Sequence, residues 1–259
     1  MNLLLHYLLV TVLVFGSPAS KALARDEGEA AVTASSSKNK RTVRFLAVGD
    51  LPPFRQVVEN GVRRELPPPA GSIPPSKISL SLADDGESEL GSSSLQLGRV
   101  SAPVVFEEGA EDLVIRDAAA GGTPWVKVKP PESGDFLVVL FRDPEAKSWS
   151  RAKASVVPEG DQPGKATVLN VAPGPLAIVY GEDKIALVPG KPLVRNLAGG
   201  KPVSFQIGMP VAGGKLKRVS SMSLEQEAGE RTFVVIGRAD GIQPRQPLKV
   251  TVIRSAAES

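Results

Sequence analysis

The chain has 259 residues, 42% of them hydrophobic and 23% charged, with 25 Gly and 23 Pro spread without a period. This is a globular composition rich in turns, which excludes a collagen-like or wholly disordered chain. There is no Cys, and the single His is His6, so disulfide and thiolate chemistry, Ser-His-Asp triads and His-ligated zinc sites fall outside its repertoire once a leader is removed.

Residues 1–24 read as a secretory signal peptide. Leu3 to Phe15 is an apolar run, followed by Gly16-Ser17-Pro18 and the small-residue pattern Ala22-Leu23-Ala24. The run is shorter than the roughly 20 residues a spanning helix needs, so cleavage after Ala24 and no transmembrane segment in the mature chain are expected. Removing Lys21 from the 31 basic groups leaves 30 against 28 acidic ones. That balance, with no long basic run, predicts no nucleic-acid partner. The expected location is periplasmic or extracellular.

Residues 25–41 read as a flexible tether, with Lys38, Lys40 and Arg41 at its end. A first β-sandwich domain is expected over 42–158. It opens with the strand Val43–Val48 and continues through a hairpin over Phe54–Leu66, turning at Asn60-Gly61. The polyproline stretch Pro67–Pro75 cannot sit inside a sheet and reads as a stiff crossover. Lys77–Leu82 alternates apolar and polar residues as a half-buried strand does.

The central feature is a repeat. Glu132-Ser133-Gly134-Asp135 leads into Phe136–Phe141 and closes on Arg142-Asp143. Glu227-Ala228-Gly229-Glu230 leads into Phe233–Ile236 and closes on Arg238 and Asp240. Residues 159–164, nearly all turn formers, read as a linker. A second β-sandwich domain is expected over 165–255, opening with Thr167–Val171 as the counterpart of Arg44–Val48. Its hairpin over Leu176–Val188 is expected to turn at Glu182-Asp183, to pair Tyr180 with Ile185, and to match Phe54–Leu66. A rival register aligns Arg99–Asp117 with Arg218–Asp240. No stretch after residue 24 carries a helical period. The fold class expected is all-β, with two tandem immunoglobulin-like β-sandwich domains.

Candidate chemistry is sparse. Asp84-Asp85 and Glu182-Asp183 lack the alternating spacing of a calcium loop. Glu107, Glu108, Glu111 and Asp112 cluster as charges do on a solvated loop. No catalytic, metal-binding or cofactor-binding residue is expected, and no cofactor. The candidate interaction residues are Arg142, Asp143, Trp149, Arg238 and Asp240. The repeated Arg and Asp at the strand ends read either as a capped turn or as an arginine that binds a carboxylate between domains.

The leader, Val43–Gly49, Gly61–Pro69 and Gly71–Pro75 together resemble exported β-sandwich proteins of environmental bacteria. Ala166–Leu197 is similar to small domains of unknown function in bacterial lipoproteins and surface proteins, although this chain has no Cys to lipidate. The resemblance brings no activity and no site residues. The function expected is a non-enzymatic interaction or structural role in the periplasm or outside the cell, with a protein or cell-envelope partner. Rival expectations are a pilus-assembly-type chaperone, which binds by strand addition, and a carboxylate-dependent protein acting on polysaccharide.

Overall fold

The computed structural model describes residues 40–82, 89–107, 112–159 and 163–256, all within one compact unit. The expected signal peptide, most of the tether, Asp84-Asp85, and Glu108 and Glu111 lie outside these residues. Every regular element described is a strand except one three-residue 3-10 turn at Ala212–Gly214.

Four four-stranded sheets account for the core. The first joins β4 (Lys77–Leu82), β5 (Glu89–Ser94), β7 (Leu113–Asp117) and β8 (Thr123–Val128) in the order β5-β4-β7-β8. The second joins β1 (Lys40–Val48), β6 (Val104–Glu107), β9 (Phe136–Arg142) and β10 (Ala152–Pro158) in the order β10-β9-β1-β6. The third joins β11 (Lys165–Asn170), β14 (Leu193–Asn196), β17 (Glu230–Arg238) and β18 (Leu248–Ala256) in the order β14-β11-β17-β18. The fourth joins β12 (Leu176–Tyr180), β13 (Asp183–Leu187), β15 (Val203–Pro210) and β16 (Leu216–Leu224) in the order β13-β12-β15-β16.

The first two sheets pack over one apolar core and the last two over another. In both halves the opening strand runs parallel to the penultimate one: β1 with β9, and β11 with β17. The last strand then pairs antiparallel, Ala152 with Arg142 and Leu248 with Arg238, so equivalent residues here lie 96 positions apart. Val43 pairs with Phe136 and Ala166 with Thr232, which fixes Arg44–Val48 as the counterpart of Thr167–Val171. The register built on the repeated strand therefore holds, and the rival one does not.

Two finer expectations are corrected. The counterpart of the β12–β13 hairpin is β4–β5, not residues 54–66. The hairpin of β2 (Gln56–Glu59) and β3 (Val62–Glu65) is an addition to the first half that pairs with no other described strand. Its Asn60-Gly61 turn has φ of 53° and 78°, the two positive values a tight hairpin of this kind requires. In β12–β13 the turn falls on Gly181-Glu182, so Tyr180 pairs with Asp183 and Ile178 with Ile185. Gly181, at φ 62°, takes the left-handed conformation more readily than Asp183 would. The shift is two residues, so Leu176, Ile178 and Tyr180 still face the core.

Strand β9 is apolar on both faces because both are covered. Phe136, Val138 and Leu140 enter the core of the first half. Leu137 and Val139 enter a third core, built between the second and third sheets. That third core pairs equivalent residues: Leu46 and Leu169, Val48 and Val171, Leu137 and Phe233, Val139 and Val235. The same patch is thus used from both sides, as in the self-complementary interface of a two-fold dimer.

Arg41, expected in the tether, belongs to β1 and is 4% exposed. Its guanidinium lies 5.6 and 5.5 Å from the centres of Phe106 and Phe136, and Nη1 donates to the Pro131 carbonyl at 3.0 Å. A buried arginine satisfied this way covers the open edge of the core rather than carrying charge into solvent.

Candidate functional site

β9 and β17 end side by side, and this places Arg142 and Arg238 at one end of the third core. A cleft of about 190 Å³ opens there, walled by Val48, Phe141, Val171 and Pro144 and containing Arg142, Asp143, Arg238 and Asp240. Four of the five candidate residues therefore meet in one place. The fifth, Trp149, is 1% exposed and packs in the first core, where its carbonyl accepts the Trp125 indole N–H at 2.8 Å.

Asp143 and Asp240 do different work. Asp143 Oδ1 accepts the Glu145 N–H at 3.1 Å, and Oδ2 accepts from Arg151 at 2.6 Å. The Glu145 N–H, with Arg151 and Lys153 behind it, holds the Asp143 carboxyl below the usual range against the opposing effect of burial. This is the capped-turn role. Asp240 instead crosses between halves: Oδ1 accepts the Asp50 N–H at 2.6 Å, and Oδ2 lies 3.1 Å from Arg142 Nε. Asp50 returns the contact, its Oδ2 accepting the N–H groups of Asp240 and Gly241, each at 2.8 Å. Lys249 lies 3.4 Å from Asp50 Oδ1.

Gly49 leaves room for this seam. A Cβ at position 49 would sit 3.1 Å from Trp149 Cζ2 and 3.3 Å from Asp240 Oδ2, tighter than ordinary van der Waals contact. The indole and the carboxylate both approach the backbone closely, and a side chain here would require one of them to give by a few tenths of an ångström.

The two arginines behave as a pair related by the repeat. Arg142 Nη2 donates to the Asp240 carbonyl, and Arg238 Nη1 donates to the Pro144 carbonyl at 3.1 Å. Each arginine thus reaches the residue two positions beyond its counterpart. Arg142 does bind a carboxylate between the halves, and that carboxylate is the chain's own Asp240.

At the opposite end of β9 and β17 lies a contact the sequence did not reveal. Glu159, expected as the first residue of a linker, has a side chain only 4% exposed. It accepts from Arg44 Nε at 2.8 Å and lies 3.6 Å from Arg231 Nη2, so one carboxylate bridges both halves. Nothing local marks Glu159 or Asp50 for these roles. Their partners are up to 191 residues away.

No family model matches the chain, and no curated protein does.

Proposed function

We propose that the protein is an exported, non-enzymatic interaction protein made of two tandem immunoglobulin-like β-sandwich domains, with a protein or cell-envelope component as its partner. Two separate cores with the same strand order support the tandem reading, and the shared third core joins the pair. The observation that carries the interaction reading is the exposure of large apolar side chains at the cleft end. Leu51 is 74% exposed, Phe54 68% and Ile242 76%.

Leu51 and Ile242 line a shallow hollow of about 440 Å³ together with Pro53, Arg245 and Lys249. The added β2–β3 hairpin springs from the same loop and exposes Val58 and Val62. None of these residues is needed by a core, and apolar groups gathered in water are characteristic of contact surfaces. Loops held by a rigid scaffold are also where binding residues concentrate.

A photo-crosslinking residue placed at Ile242, with one at exposed Val194 as control, tests the reading in cells that export the protein. A discrete envelope adduct from position 242 and none from 194 is expected. No adduct from positions 51, 54 or 242, or glycan turnover by the purified protein, would overturn it.

A further inference from the structure

The repeat assigns equivalent places to Arg142 and Arg238, and to Pro144 and Asp240, each pair 96 positions apart. The backbone half of the exchange is intact on both sides: each arginine donates to the other half's carbonyl. The side-chain half is not. Arg142 also meets the Asp240 carboxylate, whereas the residue facing Arg238 is Pro144, which carries none.

A guanidinium has five N–H donors in a fork that matches a carboxylate. Arg238 is exposed at the cleft, and the Pro144 carbonyl is the hydrogen-bond acceptor it meets among the described residues. The other charges facing this space are already matched. Asp240 is held by Arg142, and Asp143 by Arg151 and Lys153. Among the described residues that line the cleft, Arg238 is therefore the cation that no carboxylate meets. Val48, Phe141, Val171 and Pro244 wall the cleft with apolar surface, which strengthens an ion pair formed inside it.

We infer that Arg238 binds a carboxylate supplied by a ligand, in the place where the repeat would put an aspartate at position 144. This rests on the interaction role proposed above and names the chemistry its cleft would recognise. The carboxylate comes either from a small free acid or from an acidic side chain of a partner protein.

The test is a titration of the nitrogen-15-labelled protein at constant ionic strength, following the arginine Nε–H resonances. The probes are succinate, a tetraglutamate peptide with blocked ends, and chloride as control. The Arg238 signal, assigned by its absence in Arg238→Gln, is expected to shift saturably with one or both carboxylates and not with chloride. Response to succinate alone identifies a free acid, and a stronger response to the peptide identifies a side chain.

Arg238→Gln is expected to weaken binding at least about tenfold. Pro144→Asp, which supplies the missing carboxylate from within, is expected to abolish it while raising Tm. Absence of a shift with either carboxylate at millimolar concentration would overturn the inference. So would undiminished binding by Pro144→Asp or by folded Arg238→Gln. A crosslinked adduct at Ile242 that forms equally well with Arg238→Gln would leave the interaction role standing and remove the carboxylate from it.

Discussion

Arg142 and Asp240 hold each other across the third core, Nε to Oδ2 at 3.1 Å, with both side chains less than a fifth exposed. Removing the arginine leaves a largely buried carboxylate with a backbone N–H as its remaining direct partner. Hydrogen bonds to charged groups contribute about 1.5–3 kcal/mol, and a lone buried acceptor is costly. Arg142→Ala is therefore expected to cost about 2 kcal/mol in urea denaturation. Arg238→Ala, at the equivalent but exposed position, is expected to change stability by less than about 0.5 kcal/mol. Equal losses would show that the two arginines are not used differently.

Glu159 makes the matching prediction at the other end. Its carboxylate pairs with Arg44 and Arg231, whose side chains are 14% and 8% exposed. A hydrogen bond to a charged group contributes about 1.5–3 kcal/mol; Glu159 makes its close one with Arg44, while Arg231 also donates to the Ser255 hydroxyl. Glu159→Ala is expected to fall in that range and Glu159→Gln to recover part of it through hydrogen bonding. A loss below about 1 kcal/mol for Glu159→Ala would mean that this bridge between the halves adds little to stability.

How much of this was legible depended on the range of the interaction. The Asn60-Gly61 turn and the two copies of the long apolar strand are local patterns, and each appears where the residues require. Lys77–Leu82 forms its strand too, but it is not half-buried: Ser79 and Ser81 are buried along with Ile78 and Leu80, and Ser81 accepts from Arg116. Leu137 and Val139 make the second face of Phe136–Phe141 apolar as well, and the third core covers it. Hairpins look alike in sequence, and for that reason residues 54–66 read as the counterpart of Leu176–Val188 although that counterpart is β4–β5. Sheet order, which depends on pairings tens of residues apart, is what distinguishes β4–β5 from β2–β3. In the site, the repeated Arg and Asp were visible, but their division of labour was not. It turns on Asp50, Gly49 and Pro144, which carry no motif and matter only once the halves meet.

Asp143 gives a pH prediction with a definite sign. Its carboxyl titrates below the ordinary value of about 3.9, so folding is favoured by its ionised form. That contribution is fully present above the unfolded-state value and is lost as pH falls through the lowered folded-state value. Arg151 and Lys153 are 63% and 54% exposed, so water screens the pairing and the effect is modest. The Tm difference between the protein and Asp143→Asn is expected to stay constant at neutral pH and to narrow only below the ordinary carboxylate value. A difference already shrinking between pH 7 and 5 would assign the stabilisation to another group.

Phe136 and Phe141 lie on opposite faces of β9, and their substitutions should separate two kinds of stability. Phe136 is fully buried, edge-on to Phe106 at 5.9 Å and beneath the Arg41 guanidinium. Phe141 is half-buried at the margin of the third core and forms part of the cleft wall. Truncating a buried Phe costs about 3–5 kcal/mol, since the lost transfer energy is joined by the cavity left behind. Phe136→Ala also strips Arg41 of a ring it covers, which places it in the upper part of that range. Phe141→Ala removes surface that water already reaches in part, and about 1–2 kcal/mol is expected from area alone. Amide exchange adds a readout that total stability does not. Phe136→Ala should speed exchange throughout β1, β4, β7 and β9, whose side chains share the first core. Phe141→Ala should instead loosen β1, β9, β11 and β17 near the cleft, leaving β4 and β7 protected. Were both variants to lower protection uniformly across all four sheets, the three cores would form one cooperative unit, and the third would not act as a separable seam.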